Sequence, residues 1–210
     1  MPQTHRFRFV GHIAGVGTAS GTRLVLGSWV QSPLGAFADV MVERSDGTRI
    51  LLAPTAAIAD FVAKTYVFDE VRVVPVSVAL HGRRRHSRWQ VSAGSLRWEF
   101  TVGGRTPMGY LLRAVPRRIG RSQTWARLTD LAARTVMPGV RTLGTAGNGR
   151  IEWYAAQDLH RIEQSSVQWD GVDLGALSEV DPPPAFGFGS SPRVPSVTTL
   201  VSTVLVPEAH

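Results

Sequence analysis

Residues 95–102 read Ser95-Leu96-Arg97-Trp98-Glu99-Phe100-Thr101-Val102. In an extended chain Leu96, Trp98, Phe100 and Val102 share one face, and Arg97, Glu99 and Thr101 share the other. A helix would scatter both sets around its axis, so this stretch is committed to a strand with one buried side. Just before it, Trp89 and Val91 alternate with Arg88, Gln90 and Ser92, and Ala93-Gly94-Ser95 between the runs predicts a hairpin. The same period predicts strands over 6–15, 22–31, 36–44, 48–53, 70–79, 108–115, 150–157, 165–169 and 197–205. Ser45-Asp46-Gly47 and Asp170-Gly171 mark turns among them.

Two segments break the period. After Pro54, Thr55 stands as an N-cap ahead of Ile58, Phe61, Val62 and Thr65, which are spaced as one helical stripe. A second helix is predicted from Ser122, with Trp125, Leu128, Leu131, Ala132, Thr135 and Val136 on one face, ending at Met137-Pro138-Gly139. Each has a single apolar stripe and must lie against the sheet. No linker divides the 210 residues, which at roughly 100–200 residues per domain make one unit, 1–210. The predicted class is mainly β (α+β): a single antiparallel β-barrel or strongly curved sheet with two helices packed on it. Closure is the favoured form because it removes exposed strand edges.

Composition narrows the chemistry. With no Cys in the chain, thiol nucleophiles, disulfides, thiolate zinc sites and iron–sulfur clusters are excluded. Lys64 is the sole lysine among 23 basic residues, so Schiff-base chemistry falls on Lys64 or the α-amino group. The formal charge of +7 is concentrated in a cluster at Arg83–Arg88 and a run from Arg113 to Arg127. No Phe, Tyr or Trp interrupts the first cluster, so it lacks a stacking platform, and nucleic acid is not the expected partner.

Several motifs fail on context. Gly15-Val16-Gly17-Thr18-Ala19-Ser20-Gly21 nearly matches a dinucleotide fingerprint, but a strand follows where a helix N-terminus is required. There is no Gly-Lys pair for a P-loop and no Gly-x-Ser-x-Gly elbow. The six His show no metal-ligand spacing, so neither a metal nor a cofactor is expected. No run approaches the roughly 18 apolar residues of a membrane span, and the N-terminal stretch lacks a secretory apolar core. The expected location is cytoplasmic.

Two strands carry mixed faces. In 36–44, Ala38, Val40 and Val42 make one apolar face, while Phe37, Asp39, Met41 and Glu43 make the other. In 151–160, extended geometry puts Glu152, Tyr154, Asp158 and His160 on one side, and Trp153, Ala155 and Gln157 on the other. If the apolar faces pack outward under the helices, the mixed faces line an interior cavity. Asp39 would be desolvated there and its pKa raised, with Arg23 or His12 placed to counter the shift.

Ser32-Pro33-Leu34-Gly35-Ala36-Phe37-Ala38-Asp39 resembles the Pro-x-Gly-x-aromatic-x-acid strand of acetoacetate decarboxylase-like β-barrels. The order of strands, helix and further strands is compatible with that family. The resemblance implies a barrel in which the acid of this strand, Asp39, faces the cavity. The family's catalytic group is a Schiff-base lysine of depressed pKa in a Gly-Phe-Pro-Lys type motif on a later strand. This sequence has no such motif, and Lys64 lies in Phe61-Val62-Ala63-Lys64-Thr65-Tyr66, which does not match. Decarboxylation by that route is therefore not expected.

The expected function is binding of a small apolar or aromatic organic ligand, bearing an acidic or carbonyl group, in an interior cavity. Phe37, Met41, Glu43, Tyr154, Asp158, His12 and Arg23 are its candidate binding residues. The rival is a lyase, hydratase or isomerase in which Asp39, Glu152 and His160 transfer protons without metal or Schiff base. A third reading is an interaction module using the arginine surfaces. The expected partner is a small molecule, and homo-oligomerisation stays open.

Overall fold

A computed structural model describes residues 4–82, 86–115, 143–145, 149–187 and 191–207. In chain order its elements begin β1 (Thr4–Thr18), β2 (Arg23–Gln31), β3 (Phe37–Glu43), β4 (Arg49–Ala53), α1 (Ala56–Ala63), β5 (Glu70–Val73) and β6 (Val76–His81). They continue with β7 (Ser87–Ala93), β8 (Leu96–Arg105), α2 (Pro107–Ala114), β9 (Leu143–Thr145) and β10 (Ile151–Trp169). The last are β11 (Val172–Asp173), β12 (Leu177–Ser178) and β13 (Ser196–Pro207).

The main path of the sheet runs β5-β4-β3-β2-β1-β13-β10-β8-β7-β6, with β9 and β11 paired to β10 and β12 paired to β1. Its neighbours are antiparallel except β4 and β5, which are parallel because α1 lies between them as a crossover. The mainly β class and the strongly curved sheet are as expected from the sequence. The curl stops short of closure and leaves a half-barrel, with β5 and β6 as its edges.

What bends the sheet is the bulk on one side of it. Leu24, Leu26, Val40, Val42 and Ile50 from one half meet Trp89, Val91, Trp98 and Phe100 from the other in one core. Trp89 stacks on Phe100 at 5.5 Å, and Trp98 meets the same ring at 5.0 Å. Each such buried side chain contributes about 1.5–3 kcal/mol relative to exposure. The predicted hairpin is the one that delivers them, with Trp89 opposite Phe100 and Val91 opposite Trp98.

The core also contains Ala38, Val40 and Val42, so the apolar face of β3 fills the inside of the curl. This reverses the premise that apolar faces pack outward. Phe37 and Met41, from the mixed face, pack instead with α1 in a second, outer cluster. The interior is too greedy for apolar surface to leave a polar-lined cavity there.

α1 forms as predicted. Thr55 caps it, its hydroxyl accepting from the Ile58 N–H at 3.3 Å, and Ile58, Ala59 and Val62 are buried against Leu51 and Ala53. The stretch 108–115, by contrast, is not a strand but α2. Thr106 caps it by accepting from the Gly109 N–H at 3.0 Å, and Pro107 occupies a first-turn position where its missing donor is harmless. Gly109 lets α2 approach β10: a Cβ there would stand 2.4 Å from the Leu159 carbonyl oxygen. The helix predicted from Ser122 lies outside the described residues, as do Arg83–Arg85.

Two further boundaries differ. The run 70–79 is two strands parted at Val74-Pro75, since proline cannot donate to a ladder. Conversely, 150–157 and 165–169 belong to the single 19-residue strand β10. Among the described residues no helix is long and apolar enough to cross a membrane.

Candidate functional site

The outer side of the sheet carries a pocket roofed by α1 and by the segment 182–187 that crosses ahead of β13. Phe9, Trp29, Phe37, Phe61, Tyr66 and Tyr154 give it aromatic walls, and Pro184 and Phe186 close one side. Its volume of about 60 Å³ has room for only a few waters or a small molecule.

Asp39 is 1% exposed and stands opposite Gly27 in the β2–β3 ladder. Strand alternation puts Trp29 on the same side two residues on, and its indole N–H donates to Asp39 Oδ1 at 3.3 Å. Oδ2 has no hydrogen-bond partner among the described residues. Burial pushes the Asp39 pKa up to about 7; the Trp29 bond pulls against this, and the negative charge of Glu152 adds to it.

Glu152, 3% exposed, is better served. The Tyr66 hydroxyl donates to Oε2 at 2.6 Å, and the Ser202 hydroxyl donates to Oε1 at 2.6 Å. The Tyr66 and Tyr154 hydroxyl oxygens lie 2.7 Å apart. Burial still raises the Glu152 pKa, while hydrogen bonds from Ser202, Tyr66 and Tyr154 restrain it. Burial, and then the charge of Glu152, hold the Tyr66 hydroxyl well above its usual range. β10 and β13 place Tyr154 opposite Ser202, and Tyr66 follows α1, its N–H bonded to the Val62 carbonyl at 2.9 Å.

Of the residues singled out in the sequence, Phe37, Asp39, Met41, Glu152 and Tyr154 line this pocket. Glu43 does not. It pairs with Arg23 at 2.5 Å and accepts from the Ala185 N–H at 2.5 Å, so Arg23 is engaged away from Asp39. His12 packs on Trp89 at 5.4 Å, on the core side, and burial lowers its pKa. Neither basic residue counters the shift on Asp39.

Asp158 and His160 also lie elsewhere. Against β13, Ala156 pairs with Leu200 and Asp158 with Thr199, so Gln157 is an extra residue. One inserted residue inverts the alternation, which parts Asp158 and His160 from Glu152 and Tyr154. Asp158 takes both arms of Arg105 at 2.7 and 2.8 Å, with His160 Nε2 at 3.5 Å. Burial would raise the Asp158 pKa, but the Arg105 bonds and the charge of His160 hold it low.

Tyr66, Trp29 and Ser202 were not singled out in the sequence. Trp29 carried a usable signal, since it continues the period of Arg23, Val25 and Gly27 on β2. Tyr66 and Ser202 carried none, because their roles depend on where a helix end and a distant strand come to rest. Among the described residues the pocket has two carboxyls and no Arg, Lys or His in its lining, and no cluster of three His, Asp or Glu suits a metal ion. Burial raises the pKa of both carboxyls. No family model, curated protein or solved structure matches this chain.

Proposed function

We propose that the protein binds a small, largely apolar organic molecule between the sheet and α1, with Asp39 fixing the polar end of its guest. The observation that carries this reading is Asp39 Oδ2, a buried acceptor with no partner among the described residues at the wall of an aromatic pocket. Leaving such an atom unpaired costs about 1–3 kcal/mol, which a ligand donor would recover. Apolar walls with a few convergent polar groups are the usual make-up of small-molecule sites.

The polar end of the guest is a hydrogen-bond donor. An acidic group has no counterpart, since Arg23 and His12 lie elsewhere, and ionised Asp39 would repel it. A ring-sized guest also needs the segment 182–187 to yield. That segment is held by Val67 N–H to Phe186 O at 2.7 Å and by the Glu43 contact to Ala185. The test is NMR titration with benzyl alcohol and with benzoate. The alcohol should shift the Trp29 indole signal and benzoate should not; silence from both ends the proposal.

A second reading has its own support. Glu152 has hydroxyl donors on both oxygens and Asp39 one donor at 3.3 Å. Unequal donor sets push two neighbouring pKa values apart, the arrangement of a general acid beside a general base. On this reading Asp39 and Glu152 move protons on the bound molecule, and His160 takes no part. Turnover of any isomerisable substrate that survives Asp39→Asn would end it.

A further inference from the structure

Resting on the proposal that this pocket is a binding site, we infer that its occupant is a small alkylammonium ion. Asp39 and Glu152 hold its charge, and the aromatic walls hold its alkyl groups.

Two carboxyls at 1% and 3% exposure share a pocket whose described lining has no basic side chain. Buried charges are normally paired, and here the nearby cations are spent on other work. Arg23 is on Glu43. Arg150 donates to Phe61 O at 2.9 Å and to Thr65 Oγ1 at 2.6 Å, its guanidinium 4.8 Å from the Phe61 ring. A neutral guest could satisfy Oδ2 of Asp39 but would leave the pocket's charge uncompensated. A cation supplies what the described residues withhold.

The walls suit the same guest. Phe9 meets Trp29 at 5.6 Å and Phe61 at 5.3 Å, and stands edge-on to Phe37 at 6.3 Å. Aromatic faces attract cations, most strongly where water is excluded. The volume of about 60 Å³ favours an ion of a few heavy atoms over a larger ring system.

The pH dependence follows from the groups that face Asp39: Trp29 from β2, Tyr66 beyond α1, Glu152 and Tyr154 from β10, and Ser202 from β13. Glu43 lies further along β3, bound to Arg23. Burial raises the pKa of both pocket carboxyls. As Asp39 takes up a proton near pH 7, a cation must displace it and binds more weakly.

The experiment compares tert-butylammonium with tert-butyl alcohol, a neutral probe of matching shape, by NMR titration of the Trp29 indole at fixed ionic strength. At about pH 8 the cation should bind at least tenfold tighter than the alcohol, and should weaken about tenfold by about pH 6. Asp39→Asn, and independently Glu152→Gln, should cut the cation's affinity about tenfold or more, a larger loss than either causes for the alcohol. Binding of the alcohol as tightly as the cation would overturn this inference and leave the pocket proposal standing. If neither probe moves the Trp29 signal, the pocket proposal falls with it.

Discussion

The indole nitrogen of Trp29 reaches Oδ1 of Asp39 because Gly27 has no side chain. A Cβ at residue 27 would stand 2.6 Å from that oxygen and 2.8 Å from the indole nitrogen, well inside contact distance. Gly27→Ala therefore forces the two apart. The expected result is a stability loss of about 1–3 kcal/mol from overpacking, with a large shift of the Trp29 indole N–H resonance. A unchanged resonance in a folded variant would show that the pair does not depend on this glycine.

Asp39 should cost the protein stability in a pH-dependent way. Its pKa in the fold, about 7, exceeds the reference value of 3.8. Between those values the folded state binds more protons than the unfolded state, so stability falls as pH rises from about 4 to 7. The full loss, present above about pH 7, is on the order of 4 kcal/mol. Asp39→Asn should therefore raise the urea midpoint at about pH 8 and change it little at about pH 4. A variant less stable than the parent at pH 8 would contradict this.

Tyr66→Phe should act in the opposite direction. It removes the donor 2.6 Å from Glu152 Oε2, and that bond favours the ionised carboxyl. The Glu152 pKa should rise further, and the stability loss should reach about 1–3 kcal/mol at pH 8. At about pH 4 the difference should shrink, because the donor favours the ionised carboxyl and loses its advantage as Glu152 takes up a proton. Paired denaturation curves at the two pH values check the sign.

Much of this fold was legible in the residues. Trp98 and Phe100 alternate too sharply with Arg97 and Glu99 for anything but a strand, and Thr55 announced α1. The Thr106-Pro107 pair announced α2 just as plainly, but the apolar content of 108–112 imitates a strand. Tyr110 and Leu111, both more than half exposed, show how little core the helix serves. That Phe37, Asp39 and Met41 share a face was legible too. Which face looked into the curl was not, because a period of two distinguishes sides without saying which is enclosed. Gln157 had no signature as an inserted residue, so Asp158 and His160 were grouped with Glu152.

The segment over the pocket depends on an ion pair. Arg23 and Glu43, with side chains 9% and 8% exposed, meet at 2.5 Å, and Glu43 also holds the Ala185 N–H. Among the described residues Arg23 Nε already lacks a partner and Glu43 is its only counter-charge, so Glu43→Ala leaves a buried guanidinium unpaired among them. The expected loss is about 3–5 kcal/mol, seen as a lower urea midpoint. Limited proteolysis should also begin to cut within 182–187. Protection of that segment equal to the parent's would separate the ion pair from the roof of the pocket.

The site rests on Asp39 being a buried carboxyl, kept from water and, among the described residues, from any basic side chain. Its carboxyl carbon can be followed by NMR from about pH 3 to pH 9, assigned by comparison with Asp39→Asn. The account predicts a midpoint near 7. A midpoint near 4, the value of an ordinary solvated aspartate, would contradict it.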